Sequence, residues 1–191
     1  MPPLVRWRRS NWSHWVTLLG AFASSLAEAL TGHHGDRYVL LDGTVAKTCR
    51  VQAQGHYYGK VRREGVNLQV ITADEGTLLW ISPALPGGTH DMKAAREHDI
   101  MTTCARLDLE VLADKGYIGA GGTVITPIRR RTHTELSGKQ EASNKVHAAL
   151  RAPVERTIAR IKQWRILSHA RISPNKLSSV SAALPTLMIY T

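Results

Sequence analysis

Five short apolar runs, each closed by turn-forming residues, limit what this chain can fold into more than any other feature. Tyr38 to Leu41 ends at Asp42-Gly43, and Leu109 to Ala113 ends at Asp114-Lys115-Gly116-Tyr117. Residues 66–72 and 77–84 are joined by Ala73-Asp74-Glu75-Gly76, and residues 123–127 stop at Pro127. Apolar runs of this length bounded by Gly, Asp and Pro read as buried strands. The turn chemistry between the second and third makes them a hairpin, and proline, lacking an N–H, ends the fifth. Between strands three and four, two glycines and then THDMKAAREHDIM predict a helix from about Met92, with Thr89 or Asp91 accepting from its first free N–H groups. Ser137 with Gln140 is a capping-box pattern opening a helix to about Leu150, and Pro153 suits the first turn of another that carries Glu155 to about Leu167. Pro185 should kink or end the last helical stretch, residues 177–190. Residues 44–63 read equally as a hairpin or a loop. The order of these units predicts an α/β fold: a mixed sheet flanked by helices, in one domain of ordinary size for 191 residues.

Upstream, Arg6, Arg8 and Arg9 precede an apolar stretch and Ala27-Glu28-Ala29, the outline of a secretory signal. Against that, Trp15, Leu18, Leu19, Phe22 and Leu26 fall on one face of a helix, which predicts a packed amphipathic helix instead. No apolar run approaches the roughly 20 residues of a membrane span, so no membrane partner is expected. The two cysteines, Cys49 and Cys104, supply neither a disulfide framework nor zinc-ligand spacing, and a cytoplasmic setting is the simplest expectation.

Charge narrows the class of partner. Lys and Arg number 25 against 15 Asp and Glu, and between Arg129 and Arg171 eleven basic residues face three acids. That concentration points to a polyanion, with nucleic acid foremost. Arg156, Arg160 and Arg165 with Trp164 make a basic, aromatic-containing helix surface suited to a nucleic-acid backbone, although Trp164 reads more readily as core. The run Arg129-Arg130-Arg131 is either a contact to that backbone or a solvated loop.

The candidate chemistry lies in the acids. Phosphodiester chemistry on DNA needs carboxylates gathered around two divalent ions about 3.5 to 4 Å apart. If strands one and four were parallel neighbours, Asp42 and Asp114 would meet at their carboxyl ends, where open α/β sheets place ligands, and Glu155 could reach in from its helix. Taken singly, each acid has a plain structural role. Asp42-Gly43 and Asp114-Lys115-Gly116 are ordinary turn sequences. Glu155, in the first turn of its expected helix, would favour the dipole and pair with Arg151. Asp91 is a helix cap or a fourth metal-facing carboxylate.

Together, the strings VLLDGT, GGTHDM, LADKGY and RAPVERTIARIK, in this order over about residues 38–171, resemble the motifs of DDE transposases of the PIF/Harbinger and insertion-sequence-five type. The resemblance implies a ribonuclease-H-like fold and a transposase that hydrolyses phosphodiesters at element ends and joins the freed 3′ end to target DNA. It implies Asp42, Asp114 and Glu155 as the catalytic acids and, with Asp91, as ligands of two magnesium or manganese ions. It also implies Arg151, Arg156, Arg160, Lys162 and Arg165 as DNA-binding residues, and a homodimer on DNA, nucleoid-associated in a prokaryote. Arg151, Glu155 and Lys162 keep the family's spacing along the helix, while Ala148 stands where a tyrosine is common. The expected organisation is an N-terminal helical segment, residues 1–36, as the remnant of an upstream domain, then a DDE catalytic domain, residues 37–191. Those first residues are too few for the helix-turn-helix domain that such proteins carry. The rival readings are a non-enzymatic or inactive transposase-derived DNA-binding protein and, further off, a basic RNA-associated structural protein.

Overall fold

The computed structural model describes residues 9–32, 38–48, 57–58, 63–168, 170 and 174–188. At its centre lie two long antiparallel strands, β1 (Tyr38–Lys47) and β3 (Arg63–Thr72). Beyond β3 are the short strands β2 (Tyr57–Tyr58), β4 (Leu78–Ile81) and β5 (Leu85–Pro86), all antiparallel to it. On the other side, β6 (Glu110–Leu112) runs parallel to β1, and β7 (Val124–Ile125) runs parallel to β6. The result is a seven-stranded mixed sheet in the path β2-β3-β1-β6-β7. Helices flank it: α1 (Arg9–Ala21), α2 (Leu26–Thr31), α3 (Asp91–Glu97), α4 (Ile100–Arg106), α5 (Gly138–Gln163), α6 (Arg165–Ser168) and α7 (Pro174–Met188). This is the ribonuclease-H-like α/β architecture expected from the sequence.

Strand alternation explains both the two cores and the unbroken apolar runs. Leu40, Ala46, Val66, Leu68 and Val70 point to one face, where Val154, Ile158 and Ile161 of α5 and Leu177 and Leu184 of α7 cover them. Val39, Leu41, Ile71, Val111 and Ala113 point to the other, against Leu26 and Leu30 of α2, Ala95 of α3, Ile100 and Cys104 of α4, and Tyr117. Because successive side chains point to opposite faces and both faces are covered, the runs Val39 to Leu41 and Val111 to Ala113 are apolar without alternation.

Several expectations need correction. Strand one does not end at Asp42-Gly43: β1 pairs with β3 from Leu40↔Thr72 to Lys47↔Gly65, with Gly43 opposite Gln69. An Asp-Gly pair signals a turn only where the glycine takes a left-handed conformation, and this one stays in the ladder. The third run breaks into β4 and β5 at Ser82-Pro83, where Ser82 donates its N–H to Gln69 O and its hydroxyl accepts from Gln69 N. Helix α3 starts at Asp91, and its cap residue is His90, with no side-chain bond, so neither Thr89 nor Asp91 caps it. A left-handed Asp99 (φ 52°) separates α3 from α4.

The two helices expected over residues 137–167 are one helix of 26 residues with Pro153 inside it. The capping box at its start forms as expected, Ser137 Oγ accepting from Gln140 N and Gln140 Oε1 from Ser137 N. Proline deprives only the carbonyl four residues back. That residue, Ala149, is exposed, so water can serve it, while the buried stripe His147, Arg151, Val154, Thr157, Ile158 and Ile161 runs past the proline without a break. Glu155 is therefore mid-helix, out of reach of the N-terminal dipole. Likewise α7 continues through Pro185.

At the N-terminus the expected amphipathic helix is two helices, joined by residues 22–25 and restarted by a Ser25/Glu28 capping box. Periodicity assigns its apolar face only in part: Leu26 is buried as expected, whereas Trp15, Leu18 and Phe22 are exposed and Val16 is buried. Helix α1 lies along α7, and a Cβ at Gly20 would sit 3.2 Å from Ser179 O, so small residues set which side makes contact. Cys49 lies outside the described residues, as does most of the stretch that read as hairpin or loop. No helix of the described residues is long and apolar enough to cross a membrane.

Candidate active site

The parallel pairing of β1 with β6 creates the site. Its register, Tyr38↔Glu110 to Leu40↔Leu112, carried two residues on, sets Asp42 level with Asp114. Asp42 is thus in mid-strand, while Asp114 is where β6 has ended and a 3-10 turn, Lys115–Tyr117, begins. Each carboxylate takes one local N–H: Gly43 N donates to Asp42 Oδ1 at 2.9 Å, and Gly116 N donates to Asp114 Oδ1 at 2.7 Å.

Helix α5 crosses the sheet on the face that Asp42 points to. It is located by His147, whose Nε2 lies 2.9 Å from Ala113 O, and by Thr157, whose hydroxyl donates to Gly76 O. From this helix Arg151, only 6% exposed, reaches Asp42 with Nη2 at 3.3 Å from Oδ2, and its Nη1 lies 3.9 Å from Glu155 Oε1. Arg151 therefore bridges two of the three expected acids. Its Nε and Nη2 are buried without a hydrogen-bond partner. The Glu155 side chain is 63% exposed and turned along the helix toward Arg151. Lys162 is exposed, yet close enough to feel both Asp42 and Lys47; burial lowers its pKa, Asp42 opposes that, and Lys47 adds to it.

Asp91 approaches from the opposite face. Side chains alternate along β1, so Asp42 faces α5 and the next position, Gly43, faces α3. A Cβ at Gly43 would collide with Asp91 Oδ1 and stand 3.1 Å from Gln69 Nε2, so glycine is what admits that carboxylate. Asp91 Oδ1 accepts from Asn67 Nδ2 at 2.7 Å and from Gln69 Nε2 at 3.4 Å. The geometry gathers Asp42, Arg151, Glu155 and Lys162 on one face and Asp91 on the other, with Asp114 at the strand end between them.

Electrostatics agree with that layout. Burial pushes the Asp42 carboxyl up to about 6; Arg151 pulls it down, and Asp114 and then Asp91 push it up again. The Tyr117 phenol is raised well above its usual value by burial first, then by Asp91, Asp42 and Asp114. Asp114 and Asp91 thus both act on Asp42 across the end of β6, with Arg151 as its buried counter-charge. Their donor set is all oxygen, the set that hard divalent cations take, and a cation here would relieve the mutual repulsion. As it stands, among the described residues no group of three or more His, Cys, Asp or Glu side chains is drawn together closely enough to hold a metal ion.

The expected DNA-contacting residues divide. Arg156 and Arg160 lie exposed on α5, Arg129, Arg130 and Arg131 are exposed in the loop before it, and Arg151 is buried in the acid cluster. The side chain of Arg165 lies outside the described ones. Trp164 is partly buried against the core. Asn67, Gln69, Tyr117 and His147 escaped the sequence reading. A signal existed for two of them, since Asn67 and Gln69 are polar residues on alternate positions of a run otherwise built like a buried strand.

Comparison with known proteins gives the family. The model of the DDE superfamily endonuclease family matches residues 41–189. A Streptomyces albus G protein named as transposase for insertion sequence element IS112 is 28% identical over 179 residues, covering 87% of this chain and 68% of that protein. No solved structure matches the chain. Since the family model begins one residue before Asp42 and runs on through Asp114 and Glu155 to cover most of the polypeptide, the chain belongs to the DDE superfamily of endonucleases.

Proposed function

We propose that this protein is a DNA transposase that hydrolyses a phosphodiester at the end of a mobile element and joins the freed 3′ end to target DNA. The observation that carries the reading is the parallel β1–β6 register, which sets Asp42 level with Asp114 under a basic helix bearing Glu155. Asp42, Asp114 and Glu155 are the proposed catalytic acids, with Asp91 beside them, and magnesium or manganese the proposed ions. Bound there, two ions would activate the attacking oxygen and stabilise the leaving one. For Glu155 to join the other acids its side chain must swing off Arg151, a rotamer change open to an exposed residue.

The chain's own groups do the rest. Arg151, buried and ion-paired to Asp42 and Glu155, holds the charge balance of the acid cluster. Lys162 stands at the Asp42 side of the helix, and Arg156 and Arg160 offer the exposed charge that tracks a backbone. A homodimer on DNA, in the cytoplasm or nucleoid, follows from the need to bring two element ends together.

The test is cleavage of a DNA fragment carrying the genomic flanks of the coding region, with magnesium, manganese or EDTA. Cleavage in metal alone, lost in Asp114→Asn with an unchanged unfolding midpoint, is expected; cleavage retained by that variant sinks the assignment. Two observations favour a second reading, a transposase-derived DNA-binding protein without turnover: Glu155 is turned to Arg151, and the acids are not closed into a metal-holding group. That reading predicts binding of the same fragment with no cleavage in either metal.

A further inference from the structure

The polar residues on the α3 face form a chain with one direction. The Tyr117 hydroxyl donates to Gln69 Oε1 at 2.5 Å. Gln69 Nε2 then donates to Asn67 Oδ1 at 2.8 Å, and Asn67 Nδ2 donates to Asp91 Oδ1 at 2.7 Å and to Thr89 O at 3.2 Å. Gln69 also reaches Asp91 Oδ1 directly at 3.4 Å. Every link donates toward Asp91, and both amide groups end on the same oxygen. Gln69 is fully buried and Asn67 nearly so, held on adjacent odd positions of β3, so the amides cannot turn away. The other oxygen, Oδ2, faces Gly116. A Cβ there would lie 3.6 Å from it and 2.9 Å from Asp114 Oδ1, so the two carboxylates flank one small residue.

We infer that Asn67, Gln69 and Tyr117 are positioning residues that saturate Asp91 Oδ1 and hold Oδ2 toward Asp114, so that the site's cation affinity depends on a relay from the sheet face opposite Glu155. This rests on the metal-site reading above. Carboxylates that serve a cation are commonly oriented by such outer hydrogen bonds, and losing one costs about 10- to 100-fold in metal affinity. Two glycines, one beside each proposed catalytic aspartate, make the arrangement sterically possible.

The experiment is Mn2+ binding to the whole protein, measured by electron paramagnetic resonance of the free ion, with thermal unfolding of the metal-free protein alongside. The wild type should bind, Asp114→Asn should lose binding, and Gln69→Leu should weaken it about tenfold or more at temperatures where it is fully folded. Tyr117→Phe, which removes only the first donor, should shift affinity in the same direction by less, and it stands in should Gln69→Leu fail to fold. Wild-type affinity in Gln69→Leu, or in Tyr117→Phe where that variant stands in, overturns the relay while leaving the metal site intact, even if the variant melts earlier. Absence of Mn2+ binding by the wild type, or binding undiminished in Asp114→Asn, overturns the metal-site reading and the relay with it.

Discussion

Replacing Arg151 with methionine should destabilise the protein by an amount that depends on pH. Methionine keeps most of the buried stem and removes the charge, so the packing loss is modest. What changes is Asp42, whose carboxyl is already pushed up to about 6 with Arg151 as its foremost opposing influence. A neighbouring cation typically lowers a carboxylate by one to three units, and each unit is worth about 1.4 kcal/mol. The ion pair is loose, 3.3 Å from Nη2 to Oδ2 without a hydrogen bond, so the lower half of that range applies, about 1.5 to 3 kcal/mol. Below Asp42's folded value the acid is protonated in both proteins and that contribution vanishes. Urea denaturation at pH 5 and pH 8 should therefore give a penalty about 1.5 kcal/mol or more larger at pH 8. In Asp42→Asn the same arginine substitution should cost little at either pH, because no buried carboxylate is stranded. Equal penalties at both pH values, or single-variant effects that add to within about 0.5 kcal/mol in the double variant, would refute the coupling.

Three further outcomes follow from the same geometry. Because Asp42's folded value lies above its unfolded value of 3.8, the folded protein binds more protons between about pH 4 and 6. Stability of the metal-free protein should fall as pH rises through that window, by up to about 3 kcal/mol, and Asp42→Asn should remove that component of the pH slope. Gly43→Ala should cost about 1 to 3 kcal/mol by forcing Asp91 and Gln69 apart; a urea midpoint equal to wild type contradicts the close approach. Arg156→Ala with Arg160→Ala should weaken DNA binding without sequence preference and reduce the slope of log affinity against log salt by about 2, read by fluorescence anisotropy. An unchanged slope removes α5's outer face from the DNA interface.

Much of this architecture was legible because burial on both sheet faces leaves a clear mark. The runs around Val39 to Leu41 and Val111 to Ala113 could hardly be anything but covered strands, while their parallel pairing entered the sequence reading only as a condition and is supplied by the structure. What stayed hidden was conditional on partners. Gly43 reads as a turn residue, and only the β3 strand beside it and the Asp91 carboxylate above it keep it extended. Pro153 reads as a helix start, but the missing hydrogen bond falls at a solvent-facing carbonyl and the apolar stripe continues. Arg151 reads as a surface cation, and the structure buries it because Asp42 points to that face of the sheet. Tyr117 and Gln69 are 48 residues apart, a distance no spacing argument bridges.

The proposed chemistry requires Asp42 and Asp114 to share a cation at the end of the β1–β6 pair. Crystals soaked in Mn2+ and recorded at the manganese edge measure this directly. An anomalous peak lying between those two carboxylates, with Glu155 swung off Arg151, is the predicted result. Saturating Mn2+ that leaves no peak there, or binds with Arg151 still bridging Asp42 and Glu155, would contradict it.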